Sequence, residues 1–187
     1  MINMKGTLIR LIPWLLALVY VLGLGAGWES FLPPGLSDYR FPEHGLSVTL
    51  PRSLEGWRLI PTSVPDQVLL ATTRGGLVTF SAEKTAAPAS TPLEAYSDQQ
   101  EAFWRPHLPG YDLQIRAPER FGRLSGYTTI KEYTGSFLGL AMRRQRLDFY
   151  FPHRGFIYHV RYDVPEKLLT YFRPDYRLII TGFKVEK

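Results

Sequence analysis

Between Met142 and Asp163, in the stretch MRRQRLDFYFPHRGFIYHVRYD, five arginines and two histidines crowd into a run that otherwise reads as β-strand. Arginine's planar fork matches carboxylates and phosphates two-pronged. Arg144, Arg146, His153, Arg154, His159 and Arg161 are therefore candidate partner-binding residues for a protein carboxylate or a lipid phosphate. A turn at Pro152–Gly155 predicts Phe151 opposite Phe156, Phe149 opposite Tyr158 and Leu147 opposite Val160, a continuous apolar face. The other face then sets Asp148 opposite His159, Arg146 opposite Arg161 and Arg144 opposite Asp163. Two expectations compete for it. One is a solvated face laced with ion pairs worth ~0–1 kcal/mol each. The other is a patch, with Arg143 at its start, more positive than its own carboxylates neutralise and so able to dock an acidic partner.

No catalytic motif accompanies these residues. The sequence has no H-E-x-x-H, no G-x-S-x-G, no P-loop and no glycine-rich dinucleotide turn after a strand. His44, His107, His153 and His159 do not fall at metal-site spacings, and the carboxylates are scattered singly or beside basic residues. No catalytic residue, metal or cofactor is expected, and no enzymatic activity. The absence of cysteine removes disulfides, thiolate chemistry and a lipid-modified N-terminal Cys, so any membrane tether must be the polypeptide itself. A net charge of +5 is too small an excess to indicate nucleic acid, which is not an expected partner. At 187 residues, 45% apolar and 21% charged, the chain has the composition of one globular domain with a real core.

From Leu11 to Trp28, LIPWLLALVYVLGLGAGW passes 18 residues without a charge. As a helix this covers ~27 Å at ~1.5 Å per residue, just enough for a thin bilayer core. Lys5 and Arg10 precede it, and Glu29 and Asp38 follow. By the positive-inside rule the N-terminus stays cytoplasmic and the rest is periplasmic or lumenal. A cleaved signal peptide is the alternative, since Gly23, Gly25, Ala26 and Gly27 could admit a peptidase. The length of the run and the lack of an A-x-A site favour a retained single-pass anchor. Gly23 and Gly27 form a G-x-x-x-G pair, candidate helix-packing residues against a neighbouring membrane helix.

Residues 1–28 thus read as anchor, 29–44 as a Pro/Gly-punctuated linker and 45–187 as the exported domain. LSVTL and GWRLI are short extended segments. VLLATT and LVTFSAE form a hairpin about Arg74–Gly76, with Leu70 opposite Phe80 and with Val68, Leu70, Val78, Phe80 and Ala82 on one face. Thr91-x-x-Glu94 is a capping box with Pro92 at the first helical position, and Pro106 stops that helix near Arg105. Leu93, Tyr96, Phe103 and Trp104 form its apolar stripe, expected to be core. YDLQIRA and GYTTIKEYT alternate as strands. VPEKLLTYF and PDYRLIITGF are helical, with Asp163 a candidate cap and Pro174 a start or a kink. Strands that follow one another through short turns, with one helix interposed and one at the end, argue for an antiparallel α+β domain.

GLSVTLPRSLEGWRLI, the hairpin VLLATTRGGLVTFSA, the single capped helix and FIYHVRYDVPEKLLTYFRPDYRLIITGFKV together resemble the PsbP-like family, over about Gly45 to Val185. Its members are extrinsic lumenal proteins of photosystem II and related bacterial exported domains. The resemblance implies a PsbP-like α/β/α sandwich, here preceded by one transmembrane helix. It also implies a non-enzymatic accessory role in assembling or stabilising an energy-transducing membrane complex, photosynthetic or respiratory. The implied partners are integral membrane subunits of that complex, with membrane lipid held by the N-terminal helix. No family metal ligand can be matched residue by residue, so calcium or manganese duties do not carry over. The alternative is a stand-alone exported ligand-binding or envelope-maintenance domain, with Tyr96, Trp104 or Tyr111 lining a groove between helix and sheet.

Overall fold

The computed structural model describes residues 35–185 apart from 53–55, 65, 74 and 122. The anchor, Gly23 and Gly27 lie outside the described residues. Among the described residues no helix is long and apolar enough to cross a membrane.

Among the described residues, ten strands form two sheets. The smaller has the order β1-β2-β10, from β1 (Gly35–Phe41), β2 (Leu46–Arg52) and β10 (Lys184–Val185). Part of the expected linker is therefore strand: Gly35–Phe41 pairs beside β2 instead of spacing the domain. The larger sheet has seven strands in the order β3-β4-β5-β9-β8-β7-β6. These are β3 (Arg58–Leu59), β4 (Gln67–Thr72), β5 (Thr79–Pro88), β6 (Asp112–Phe121), β7 (Leu124–Phe137), β8 (Leu140–His153) and β9 (Phe156–Pro165). Each of its pairings is antiparallel. Helix α1 (Leu93–Trp104) lies on one face, contacting β7 and β8, and α2 (Leu169–Gly182) follows a 3-10 turn at Glu166–Leu168 and packs against β2 and β9.

The core lies on the α2 side. Leu46, Val48 and Leu50 alternate inward from β2 and meet Phe80, Phe149, Phe151, Tyr158 and Val160 of the large sheet with Phe172, Ile179, Ile180 and Phe183 of the C-terminal segment. Gly182 permits this approach, because a Cβ there would sit 2.6 Å from the Thr49 Cβ. Pro174 lies inside α2, which runs through it as one helix. Thr170, whose carbonyl loses its N–H partner to that proline, is exposed, so water can serve it.

Two registers differ from expectation. In the β8–β9 hairpin the turn is only Arg154–Gly155, with φ of 45° and 81°, the left-handed pair of a two-residue turn. Phe151 therefore faces Tyr158, Phe149 faces Val160 and Leu147 faces Tyr162, two residues off the expected register. A shift of two keeps every side chain on its face, so the apolar face stays as expected. In β4–β5 a bulge between Gln67 and Leu69 turns Leu69 and Ala71 inward, and Ala71 rather than Leu70 faces Phe80.

α1 starts from Pro92 with no side-chain cap, so the expected capping box does not form; Glu94 instead lies 3.6 Å from Arg116. Its buried face is Tyr96, Ser97 and Glu101, with Trp104 half-buried, while Phe103 is 54% exposed. Of the apolar stripe expected there, Leu93 and Tyr96 pack with Tyr150 and Ile157, and Phe103 is the member corrected to the surface; Ser97 and Glu101 fill the buried face beside them. Phe151→Ala should accordingly cost about 3–5 kcal/mol and Phe103→Ala less than about 1 kcal/mol, measured in urea melts. Equal losses would contradict this orientation of α1.

Candidate functional site

The register of β7, β8, β9 and β5 brings one layer of polar side chains onto the α1 face. Thr129 pairs with Asp148 and Lys131 with Arg146 across β7–β8. Asp148 pairs with Arg161 and Arg146 with Asp163 across β8–β9, and His159 meets Glu83 across β5–β9. The like-charge opposition expected of Arg146 and Arg161 is absent, because the two-residue shift puts a carboxylate opposite each. Period-two alternation places these groups away from the aromatic core, and α1 then closes over them.

Two ionic clusters result. In the first, Lys131 and Asp148 are fully buried, and Lys131 Nζ donates to Glu101 Oε1 of α1 and lies 2.8 Å from Asp148 Oδ2. Thr129 and Tyr111 also donate hydroxyls to Glu101. His159 Nε2 lies 2.5 Å from Asp148 Oδ1, and its Nδ1 2.7 Å from Glu83 Oε1; only a ring protonated on both nitrogens donates to both. Arg161 Nε reaches the same Asp148 oxygen at 3.3 Å. In the second cluster, Asp163 accepts from Arg144 Nε at 2.6 Å, Arg146 Nε at 3.1 Å and the Tyr133 hydroxyl at 2.5 Å. Asp163 thus ties two arginines inside the sheet and caps no helix. Trp104 joins the clusters, its ring 4.8 Å from the Arg146 guanidinium and 5.1 Å from that of Arg161.

Burial by itself raises the Asp148 carboxyl, but Lys131, His159 and Arg161 outweigh it and hold the pKa well below the usual carboxylate range. Burial also raises Glu83, and the hydrogen bond and charge of His159, then Arg161, bring it below its ordinary value. Burial beside Asp148 and Glu101 pushes the Tyr150 phenol well above its ordinary value. The polar seam is incompletely satisfied. Ser97 Oγ, Trp104 Nε1, Arg146 Nη1 and the Tyr150 hydroxyl are buried without a hydrogen-bond partner among the described residues.

The six candidate partner-binding residues do not form one surface. Arg144, Arg146 and His159 are 7%, 9% and 2% exposed, beneath α1 and its flanks, so the expected solvated or docking face is corrected for these three. They are covered because α1 supplies Glu101 and Trp104 to the same charges. Arg161 sits half-buried at the margin of the layer. His153 and Arg154 lie at the far hairpin end against the 42–45 loop, where His153 Nε2 is 3.2 Å from the His44 carbonyl and Arg154 donates to the carbonyls of Pro42 and Glu43. Of the residues expected to line a groove, Tyr96 and Trp104 cover the layer and Tyr111 binds Glu101. Sequence reasoning missed Lys131, Glu101 and Glu83. The strand alternation of TTIKEYT, which sets Lys131 opposite in facing to Ile130, carried that signal.

A histidine between two carboxylates beside a lysine has the chemistry of proton transfer. Here Asp148, Lys131 and His159 are buried and hydrogen-bond or pair with other members of the layer, while Glu83 is partly exposed at its margin. Because Asp148 and Glu83 are held below their unfolded values of ~3.9 and ~4.3, their contribution is fully present above the unfolded pKa and is lost as pH falls through the folded one. The difference in unfolding free energy between the parent and Asp148→Asn should therefore shrink as pH falls below about 4. Glu83→Gln, nearer the surface, gives the same comparison if Asp148→Asn does not fold. A difference unchanged by acid would contradict this coupling.

No family model matches the sequence, and no curated protein matches it. Solved structures do. The solution structure of cyanobacterial PsbP (CyanoP) from Synechocystis sp. PCC 6803 superposes with a TM-score of 0.59 at 13% identity, covering 82% of this chain and 94% of that one. The crystal structure of LpqN, involved in cell envelope biogenesis of Mycobacterium tuberculosis, superposes with a TM-score of 0.53 at 14% identity, covering 87% of this chain and 96% of that one. At such identities the likeness speaks to architecture alone. The mostly antiparallel sheet with its two helices is a PsbP-like α+β fold.

Proposed function

We propose that this chain is a non-enzymatic accessory domain, held at a membrane by its N-terminal segment and exported to the periplasmic or lumenal side, where it joins a larger energy-transducing membrane protein complex. One observation carries this reading: the tip of the β7–β8 hairpin. From Thr134 to Met142, TGSFLGLAM has no charge, and Leu138 and Leu140 at the turn are 87% and 69% exposed. Leu138 also holds φ at 50°, a left-handed conformation that favours Asn or Gly and that leucine adopts at a cost. A residue that suits neither its backbone nor its solvent is what a docking surface looks like when the fold does not require it. An apolar pocket on an integral membrane subunit is the partner of matching chemistry.

The charge-free run at Leu11–Trp28 supports the membrane side of the proposal, and the fold shared with CyanoP and LpqN is compatible with it. A second reading, a stand-alone exported envelope-maintenance domain, has equal support from the LpqN likeness.

Leu138→Asn with Leu140→Ser separates the two. Asn-Gly is the preferred two-residue turn, so the variant should melt at or above the parent temperature. Under mild detergent extraction the parent should comigrate with a large complex and the variant should run alone. Comigration of the variant at parental yield would contradict docking through the tip.

A further inference from the structure

A cleft of about 240 Å³ lies on the sheet face opposite the charge layer, between the sheet and α2. Ile130, Leu147, Tyr162, Val164, Leu169 and Tyr176 give it an apolar floor and wall. Its polar groups are Gln145, Arg173 and Arg177. The two arginines are four residues apart on α2, so their side chains rise from the same helix face. Both are exposed, and neither guanidinium has an ion pair or hydrogen-bond partner among the described residues. They differ in this from Arg116, Arg143, Arg144, Arg146 and Arg161, each of which meets a carboxylate.

We infer that this cleft binds a free single-chain amphiphile with a carboxylate headgroup, its chain on the apolar floor and its head between Arg173 and Arg177. The volume falls below the ~300–1,000 Å³ of drug-sized sites, which suits one slim chain and excludes a two-chain lipid. Two forked guanidiniums without counter-charges fit a carboxylate two-pronged, and the Gln145 amide can add a donor. The inference is independent of the hairpin tip, which lies at one end of β7 and β8 while Ile130 and Leu147 lie at their middles, and which shares no residue with the cleft. Loss of either leaves the other standing.

The test uses the full chain in lipid nanodiscs and a dodecanoate bearing a photoactivatable diazirine on its chain. Mass spectrometry should map crosslinks to the segments holding Ile130, Leu147 and Val164. Unlabelled hexanoate, octanoate and decanoate should compete about fourfold better per added methylene until the cleft is full. Dodecanol should compete far less well than dodecanoate. Arg173→Ala with Arg177→Ala, both exposed and so compatible with folding, should weaken dodecanoate about 10- to 100-fold and leave dodecanol unchanged. No crosslinks at these segments, equal competition by alcohol and acid, or an unaffected double variant would each overturn the inference. Crosslinks that need anionic lipid in the nanodisc and resist free dodecanoate would assign the arginines to the bilayer surface, and overturn it as well.

Discussion

A lysine with no solvent exposure sits at the centre of this fold. Lys131 points away from the aromatic core into the space beneath α1, where an isolated ammonium would be prohibitive. It is tolerable because Asp148 reaches it from β8 and Glu101 from α1. This fixes where the helix lies. Glu101 must come down over β7, which turns Tyr96 and Ser97 inward and Phe103 outward, whatever their hydrophobicity. The rest of the layer balances around it: Lys131, Arg144, Arg146 and Arg161 face Glu83, Glu101, Asp148 and Asp163, with His159 between two carboxylates. Such a layer need not make the domain more stable than an apolar one would, since desolvation offsets much of the attraction. What it does impose is penalty on any other placement of α1, which would leave charges buried and unpaired.

The sheet therefore has two unlike faces. The α2 face is close-packed aromatic and aliphatic core; the α1 face is ionic, with a small apolar cluster of Tyr96, Tyr150 and Ile157 beside the charges. With the arginines of β8 committed internally, the surface available to partners moves elsewhere. The hairpin tip offers exposed leucines on a strained turn, and the α2 cleft offers an apolar floor under two arginines. Both are on elements whose positions the core secures, which is how a rigid sheet presents a variable site.

The antiparallel strand succession, the two helices and the inward aromatic face were legible because alternation of period two is strong in DFYF and FIYHV, and a register error of two residues does not change facing. The α1 orientation was only partly legible. Hydrophobicity alone favoured Phe103 beside Leu93, Tyr96 and Trp104, while the helix also answers to charges from later strands, at Lys131 through Glu101 and at Arg161 through Trp104. Solvation of the Arg144–Arg146–His159 face was misread for the same reason: a polar strand face looks wet until an element with complementary charge is placed on it. The β4 bulge and the Arg154–Gly155 turn are local backbone choices that short apolar runs do not specify. The hairpin tip was visible as GSFLGL, but only its exposure and the left-handed Leu138 give it meaning.

The central claim is that Lys131 and Glu101 hold α1 to the sheet as one coupled pair. A double-mutant cycle of Lys131→Met and Glu101→Gln, read by urea unfolding, measures that coupling directly. Each single change should be costly and the double change much less than their sum, giving a coupling energy above ~1 kcal/mol, within the range for residues in one buried network. Additive losses, with coupling below ~0.5 kcal/mol, would show that α1 is held by other contacts and would contradict the organisation described for the charge layer.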